Sequence, residues 1–432
     1  MRLPARDLPV LAHADVVVAG GGPAGLGAAV AAARSGASVV LLERYGFLGG
    51  NFTAAAVGTV CGLYVRDGDG FDFVTRGLAR EFVDGLASQG AGLGPVPFKE
   101  TAVFLYVPWA AKRLADHLVT EAGSIDLLLH TVVCDVVVDD GHVRALAVAT
   151  KRGLQAVTGS VFVDCTGDAD VSFLAGLPTE TGSPGLRQHA SMQFLLQHVD
   201  GEAALDGIGA LAGLIAERGQ HLSRDGGALI PTLRPGEFIG AMTRVRNPDG
   251  SPIDTTDPRQ ATWGELEGRR LAEEAAAFVI EHVPGFAEAF LADTAPQLGV
   301  RETRHVVGEY VLTGDDVVGA ARFHDAVAAG AWPQEYHVAG RGTEYRFLPD
   351  GAFYQVPFRS LRPHGARNVL VAGRCISADH HALASTRVMA PSMALGQAAG
   401  TAAALAVRDD GLAGVAIDEV QDSLRSQGAF LE

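Results

Sequence analysis

The sequence predicts an α/β fold in which a mostly parallel sheet carries an antiparallel β-meander and is interrupted by an inserted α+β cap. Three observations predict it. A glycine-rich turn joins a strand to a helix near the start of the chain. Alternating and β-branched residues then run from Leu127 to Asp164. Two further apolar strands ending in glycine turns, "VFVDCTGDAD" and "NVLVAGR", are separated by some two hundred residues. A chain of 432 residues, 48% of them hydrophobic, is long enough for more than one folding unit around a sizeable core.

The elements follow in order. "ADVVVAGGGPAGLGAAVAAARSGASVVLLER" reads as strand, turn, helix and strand: Asp15 to Ala19 is apolar, Ala24 to Ser35 a helix of small residues, and Ser38 to Glu43 apolar again. That is a βαβ unit of the usual length. Pro108 to Glu121 reads as a helix opened by proline, with Leu114, Leu118 and Val119 on one face. Asp140-Gly141 and Arg152-Gly153 are the turns of the meander. From about Pro184 to Arg367 a helix, Gln260 to His282, alternates with loops rich in Gly, Pro and Asp. Asn368 to Arg374 is a buried strand, and Pro391 to Val407 a closing helix of Ala and Gly. The boundaries expected are 10–183, 184–367 and 368–432.

Composition excludes several functions. The net charge is −16 and the lysines are Lys99, Lys112 and Lys151, so neither the basic stripe of a nucleic-acid binder nor a polybasic lipid-facing surface is present. Cys61, Cys134, Cys165 and Cys375 form no C-x-x-C pair, which leaves no redox dithiol or structural zinc and suits a reduced, cytoplasmic protein. Met1 to Ala14 lacks the apolar core of a signal peptide. Val16–Ala33 and Val388–Val407 are long and uncharged, but glycine clusters and a proline break both, so no membrane span is expected. The Arg-rich, Lys-poor composition points to a bacterial source.

Gly20, Gly22 and Gly25 form G-x-G-x-x-G between strand and helix, with Pro23 and Ala24 opening the helix. The first glycine permits the tight turn, the second lets backbone amides approach a pyrophosphate, and the third allows close helix–strand packing. The helix N-terminus adds partial positive charge. Glu43, followed by Arg44, ends the next strand where an acid accepts hydrogen bonds from a ribose.

The segments "VVVAGGGPAGLGAAVAAARSGASVVLLERYGFLGGNFT", "VFVDCTGDADV", "LGVRETRHVVGEYVLTGDDV" and the block from Tyr354 to Val407 carry a resemblance. The chain resembles the FAD-dependent oxidoreductases of the two-dinucleotide-binding, glutathione reductase-like class, particularly the family related to the flavin subunit of heterodisulfide reductase. The resemblance implies a Rossmann-like FAD-binding domain in two parts, 10–183 and 368–432, around a substrate or cap domain, 184–367. It implies that Gly20, Gly22 and Gly25 hold the FAD pyrophosphate and Glu43 the ribose. Gly49, Gly50 and Asn51 of "LGGN" would lie along the cofactor, and Val133 would meet the adenine through its backbone. Gly167 and Asp168 would close the crevice, with Gly373 and Arg374 beside the diphosphate and ribityl chain. Arg387, and Ala394 in the helix opened by Pro391, would face the pyrimidine side of the flavin, where a helix N-terminus stabilises the charge of the reduced ring. Relatives that act on disulfides or on iron–sulfur clusters carry cysteine motifs this chain lacks.

"RCISADHHALASTR" places His380 and His381 between the strand ending at Gly373 and the closing helix. Neither H-E-x-x-H nor a Cys/His cluster accompanies them, so no metal is expected. Cofactor wall and catalytic base remain open, with His380 favoured as base because it matches a histidine in the family's corresponding block. Tyr354 either faces the flavin or fills core. Arg301, Arg304 and His305 of "RETRH" either bind an anionic or oxygen-rich substrate or form structural salt bridges.

The function expected is hydride transfer between a small-molecule substrate carbon and FAD by a dehydrogenase or oxidase. An external electron acceptor (oxygen, a quinone or a carrier protein) is implied because no second nucleotide motif is present. A homo-oligomer is compatible with this reading. The alternatives are a flavin monooxygenase, against which "AGR" stands where hydroxylases usually read "GD", and a non-catalytic flavin-binding accessory protein.

Overall fold

Strand β1 (Val10–Ala19), helix α1 (Pro23–Arg34) and strand β2 (Val39–Leu42) form the opening βαβ unit. The computed structural model of the chain describes residues 7–182, 187–337, 342–408 and 411–432. Helix α2 (Pro108–Glu121) leads into β3 (Ile125–Leu128), and β4 (Val132–Asp139), β5 (His142–Thr150) and β6 (Gly153–Asp164) form the meander. The expected boundary at 183/184 lies outside the described residues. After it come β7 (Phe194–Gln197), α3 (Gly201–Arg218), β8 (Ala228–Pro231), β9 (Phe238–Ala241), α4 (Pro258–His282) and β10 (Phe290–Thr294). Strand β11 (Val369–Val371), the short helix α5 (His380–Thr386) and α6 (Met389–Arg408) return the chain to the main sheet.

The main sheet is seven-stranded, in the order β3-β2-β1-β6-β5-β4 with β11 also paired to β6. Strand β6 joins its two halves. Residues 153–158 pair antiparallel with β5, while Phe162–Asp164 pair in parallel with β11, and β1 runs parallel to residues 156–164. Val16 to Ala19 and Val39 to Leu42 are fully buried, as parallel strands covered on both faces must be.

The two uncharged stretches pack on each other. A Cβ added to Gly396 would stand 1.9 Å from the Ala24 carbonyl oxygen, and one on Gly400 2.1 Å from that of Ala28. Helices α1 and α6 therefore touch backbone to backbone, which explains their small residues. Among the described residues no helix is long and apolar enough to cross a membrane. Helix α6 begins at Met389, two residues before the proline expected to open it. Pro391 does not break the helix, because it falls in the first turn, where its missing N–H has no helical partner to lose.

The cap is a four-stranded antiparallel sheet in the order β8-β9-β7-β10, with α3 and α4 packed around a separate core that includes Met192, Phe194, Val279 and Phe286. Asp257 caps α4 by accepting from the Arg259 amide, and Pro258 starts the helix two residues ahead of expectation.

Candidate active site

The glycine turn has three different neighbourhoods. Gly20 has φ +99°, and a Cβ there would meet the Cys165 carbonyl oxygen at 2.5 Å, so strand β6 closes on it. A Cβ on Gly25 would stand 1.7 Å from the Gly20 carbonyl oxygen, which is the close helix–strand approach. One on Gly22 would meet nothing nearer than Gly50 Cα at 3.8 Å. Its space is an open cleft.

That cleft has a volume of ≈ 290 Å³. Its walls include Gly20, Gly22, Pro23, Ala24, Glu43, Arg44, Gly50, Asn51, Gly167, Asp168, Gly373, Arg374 and Arg387. Glu43 is buried and accepts from the Gly21 amide (2.7 Å) and the Tyr45 amide (2.9 Å). Burial pushes its carboxyl up, and the amide hydrogen bonds pull it back. Asp168 accepts from Arg374 Nη2 at 2.9 Å and from the Thr303 hydroxyl at 2.6 Å. Arg374 Nη1 is buried without a hydrogen-bond partner. An orphaned guanidinium nitrogen beside the start of α1 fits an anionic ligand, and the space before Gly22 fits the approach of a pyrophosphate.

Four residues expected on the cofactor are not among these walls. Gly25 and Gly49 shape the turns behind the cleft, Val133 pairs with Val148 inside the meander, and Ala394 follows Ser392, which takes the wall position on α6. The cleft also has walls that sequence reasoning missed. Tyr45, Thr255, Glu265 and Gln297 close it from the far side, with Arg44 Nη2 donating to Gln297 Oε1 at 3.1 Å and the Tyr45 hydroxyl donating to the same oxygen. No motif marks the cap residues, because they come from a region read only as helix and loop.

A second cavity, ≈ 690 Å³, meets the first at Asn51, Val300 and Arg387. Its lining includes the apolar Val103, Leu105, Ile230, Trp332 and Val388, and the polar Arg224, Arg301, Glu335, His337 and Tyr345. Glu335 Oε1 takes hydrogen bonds from His337 Nε2 (3.0 Å) and the Tyr345 hydroxyl (3.1 Å). Although burial opposes it, His337, Arg387 and Arg301 hold the Glu335 carboxyl well below the usual range. Burial, with Arg301 adding to it, drives His337 well below the ordinary histidine value, so its ring is neutral. Burial and the neighbouring Arg387 pull Arg301 down to about 9, still charged at neutral pH.

The three expected catalytic residues line neither cavity. His380 opens α5 rather than lying in a loop, and its Nδ1 bonds the fully buried Glu302 carboxylate at 2.9 Å. Glu302 also accepts the Gln188 amide at 2.9 Å, so the histidine serves a buried carboxylate. His381 is exposed, with Nδ1 at 3.0 Å from the Tyr336 hydroxyl. Tyr354 is wholly buried, and its hydroxyl bonds Ser385 at 2.8 Å: it fills core. The "RETRH" arginines part company. Arg301 lines the second cavity, whereas Arg304 donates to the Asp168 carbonyl (3.0 Å), pairs with Asp170 and lies over the Phe173 ring at 4.2 Å. Among the described residues no cluster of His, Cys, Asp and Glu can hold a metal.

The fold and the first cleft define a dinucleotide-binding flavoprotein. Residues 15–424 match the family model described as FAD dependent oxidoreductase, and the chain belongs to that family. It is a FAD-dependent enzyme. Among solved structures, BexE, studied for its part in oxidation during BE-7585A biosynthesis, is 16% identical with a TM-score of 0.50, covering 96% of this chain and 69% of that one. A geranylgeranyl bacteriochlorophyll reductase-like protein from Thermoplasma acidophilum is 14% identical with a TM-score of 0.48, covering 97% and 84%. The myxobacterial chondrochloren halogenase CndH, a FAD-dependent halogenase, is 15% identical with a TM-score of 0.48, covering 96% and 79%. No protein of curated function matches the chain.

Proposed function

We propose that the chain is a dehydrogenase or oxidase of the glutathione reductase-like class, in the branch related to the heterodisulfide reductase flavin subunit. It moves a hydride between a small-molecule substrate carbon and FAD. The observation that carries this is the meeting of the two cavities at Asn51, Val300 and Arg387. The first takes the dinucleotide and the second takes the substrate, so the junction is where the two touch. Bound FAD supplies a two-electron hydride acceptor.

The chain supplies the rest. Gly20, Gly22 and the start of α1 cradle the pyrophosphate, Glu43 accepts from the ribose, and Arg374 gives its free Nη1 to an anionic oxygen. Arg387 and the first turn of α6 would hold the flavin and stabilise negative charge on it when it is reduced. With His380, His381 and Tyr354 turned away, the His337–Glu335 pair takes over the proton: a neutral imidazole held by a carboxylate, in the wall of the substrate cavity. Electrons then leave to an external acceptor.

The test is anaerobic titration of the FAD-loaded protein with a panel of small metabolites, following flavin absorbance. The expected result is stoichiometric bleaching by a compound that is recovered oxidised. Bleaching by a nicotinamide nucleotide alone, with an oxygenated product once air is admitted, would overturn the reading in favour of a monooxygenase.

A further inference from the structure

The walls of the second cavity carry an imbalance of charge. Its cations are Lys99, Arg224, Arg301 and Arg387, and its carboxylates are Asp225 and Glu335. This is an electropositive chamber in a chain of net charge −16. Four cations face two carboxylates, and the hydrogen-bonding capacity of Glu335 is largely taken up. Glu335 is held by His337, Tyr345 and Trp332 Nε1 (3.4 Å), and it lies 3.9 Å from Arg387.

Among the described residues, neither Arg224 nor Arg301 has a carboxylate within salt-bridge distance, although both feel the charge of Glu335 from further away. Among the described residues, Arg301 donates to the His189 carbonyl (2.8 Å) and the Ser191 hydroxyl (2.8 Å), both neutral. Arg224 donates to the Thr343 hydroxyl (2.9 Å) and, at 3.5 Å, to the Ala241 carbonyl, and its Nε has no acceptor. Arg224 is only 9% exposed, and the Arg387 side chain likewise, with its Nε also orphaned. Buried guanidinium nitrogens without acceptors are unfavourable unless a ligand supplies the missing hydrogen bonds. Burial pulls both Arg224 and Arg301 below the ordinary arginine value, with Glu335 only partly offsetting it.

The same cavity is lined by one apolar cluster of Val103, Leu105, Ile230, Trp332 and Val388. A volume of ≈ 690 Å³ lies within the range of small-molecule sites. An occupant that meets both kinds of lining has an anionic head and an apolar body.

We propose that this cavity takes an aromatic or aliphatic monocarboxylate, its carboxylate between Arg224, Arg301 and Arg387 and its apolar body against Trp332, Leu105 and Ile230. The assignment rests on the reading of this cavity as the substrate site of a flavin oxidoreductase, and it names the substrate class. Planar guanidinium groups suit a carboxylate because they meet it with two parallel hydrogen bonds.

The probes are trans-cinnamate, its neutral amide cinnamamide, and phenyl phosphate, each titrated calorimetrically into the FAD-loaded protein. The same titrations are repeated on Arg224→Gln and Arg301→Gln. Cinnamate is expected to bind about tenfold or more tightly than cinnamamide, and each substitution to weaken cinnamate by about tenfold while changing cinnamamide little, the scale of one charged hydrogen bond. Equal affinity for acid and amide, or tighter binding of phenyl phosphate than of cinnamate, overturns the assignment. So does an equal effect of the substitutions on acid and amide. If a variant fails to fold, the acid–amide ratio of the unaltered protein still decides. Carboxylate selectivity in a protein whose flavin no compound bleaches refutes the proposed reaction and leaves the substrate site standing. Bleaching by a neutral compound, with no acid–amide difference, does the reverse.

Discussion

Valine at position 22 and alanine at position 25 perturb the same glycine turn in opposite ways. At Gly25 the added Cβ would lie 1.7 Å from a backbone oxygen inside the fold, whereas at Gly22 it would stand in the cleft, 3.8 Å from its nearest neighbour. Gly22 has φ −74° and ψ −170°, an extended conformation open to valine. Gly22→Val is therefore expected to leave the stability of the apo-protein within about 0.5 kcal/mol of the original. The branched side chain would nevertheless fill the approach to the amides at the start of α1. Loss of two charge-assisted hydrogen bonds at about 1.5–3 kcal/mol each raises the FAD dissociation constant by about 10²- to 10⁴-fold. Gly25→Ala is expected to cost about 1–3 kcal/mol in overpacking, with the unfolding midpoint lowered accordingly. Denaturant unfolding of both apo-variants, paired with FAD titration by fluorescence quenching, measures the two effects separately. Stoichiometric, undiminished FAD binding by Gly22→Val would show that the pyrophosphate does not cross this turn.

Three further outcomes follow from the geometry. His380→Ala deprives the buried Glu302 carboxylate of a hydrogen bond, so stability should fall by about 1–3 kcal/mol, with FAD retained and flavin reduction slowed by far less than the ~100-fold of a lost general base; unfolding curves and rapid-mixing kinetics check both. Burial, with Asp168 and Asp164 nearby, raises the Asp170 carboxyl to about 6 despite Arg304. The folded state then binds this proton more tightly than the unfolded state, so stability should decline as pH rises from about 4 to 6, and Asp170→Asn should flatten that slope in pH-dependent melting. A thiol reagent should label exposed Cys134 in the native protein, while Cys165 and Cys375, buried and with thiols pushed far above their ordinary value, react only on unfolding; mass mapping of the adducts reads this directly.

The nucleotide cleft was legible because its signal is local. Gly20, Gly22 and Glu43 sit within one βαβ unit, where spacing alone puts turn, helix start and strand end together. The meander was legible through its alternation and its Asp-Gly turn. The second cavity was not, because Arg224, Arg301, Glu335 and His337 converge from distant segments, and no periodicity links them. His380 and Tyr354 show the converse difficulty. Both are chemically capable residues close in sequence to cofactor-facing positions, yet one is bound to Glu302 and the other to Ser385, out of sight of either cavity. Residue type is visible in a sequence, whereas the direction a side chain points is set by tertiary packing.

Arg387 ties the two halves of the proposed site together, because it belongs to the walls of both cavities. Its Nη2 donates to Gln188 Oε1 (3.1 Å) and to the Glu335 carbonyl (3.3 Å), which fixes the guanidinium at the junction. A net charge of −16 would by itself oppose both an anionic substrate and an anionic reduced flavin. Distance decides otherwise. Exposed charges beyond a Debye length of about 8–10 Å are largely screened by salt. A buried cation about 4 Å from an anion acts with an effective dielectric nearer 20 and contributes about 4 kcal/mol. Arg387 at the junction, with the arginines of the two cavities, therefore outweighs the acidic surface. In the proposed reaction, substrate binding would draw on this charge first, and the reduced flavin would draw on it afterwards. Placing one cation between the two cavities lets the same residue favour both states without a change of fold.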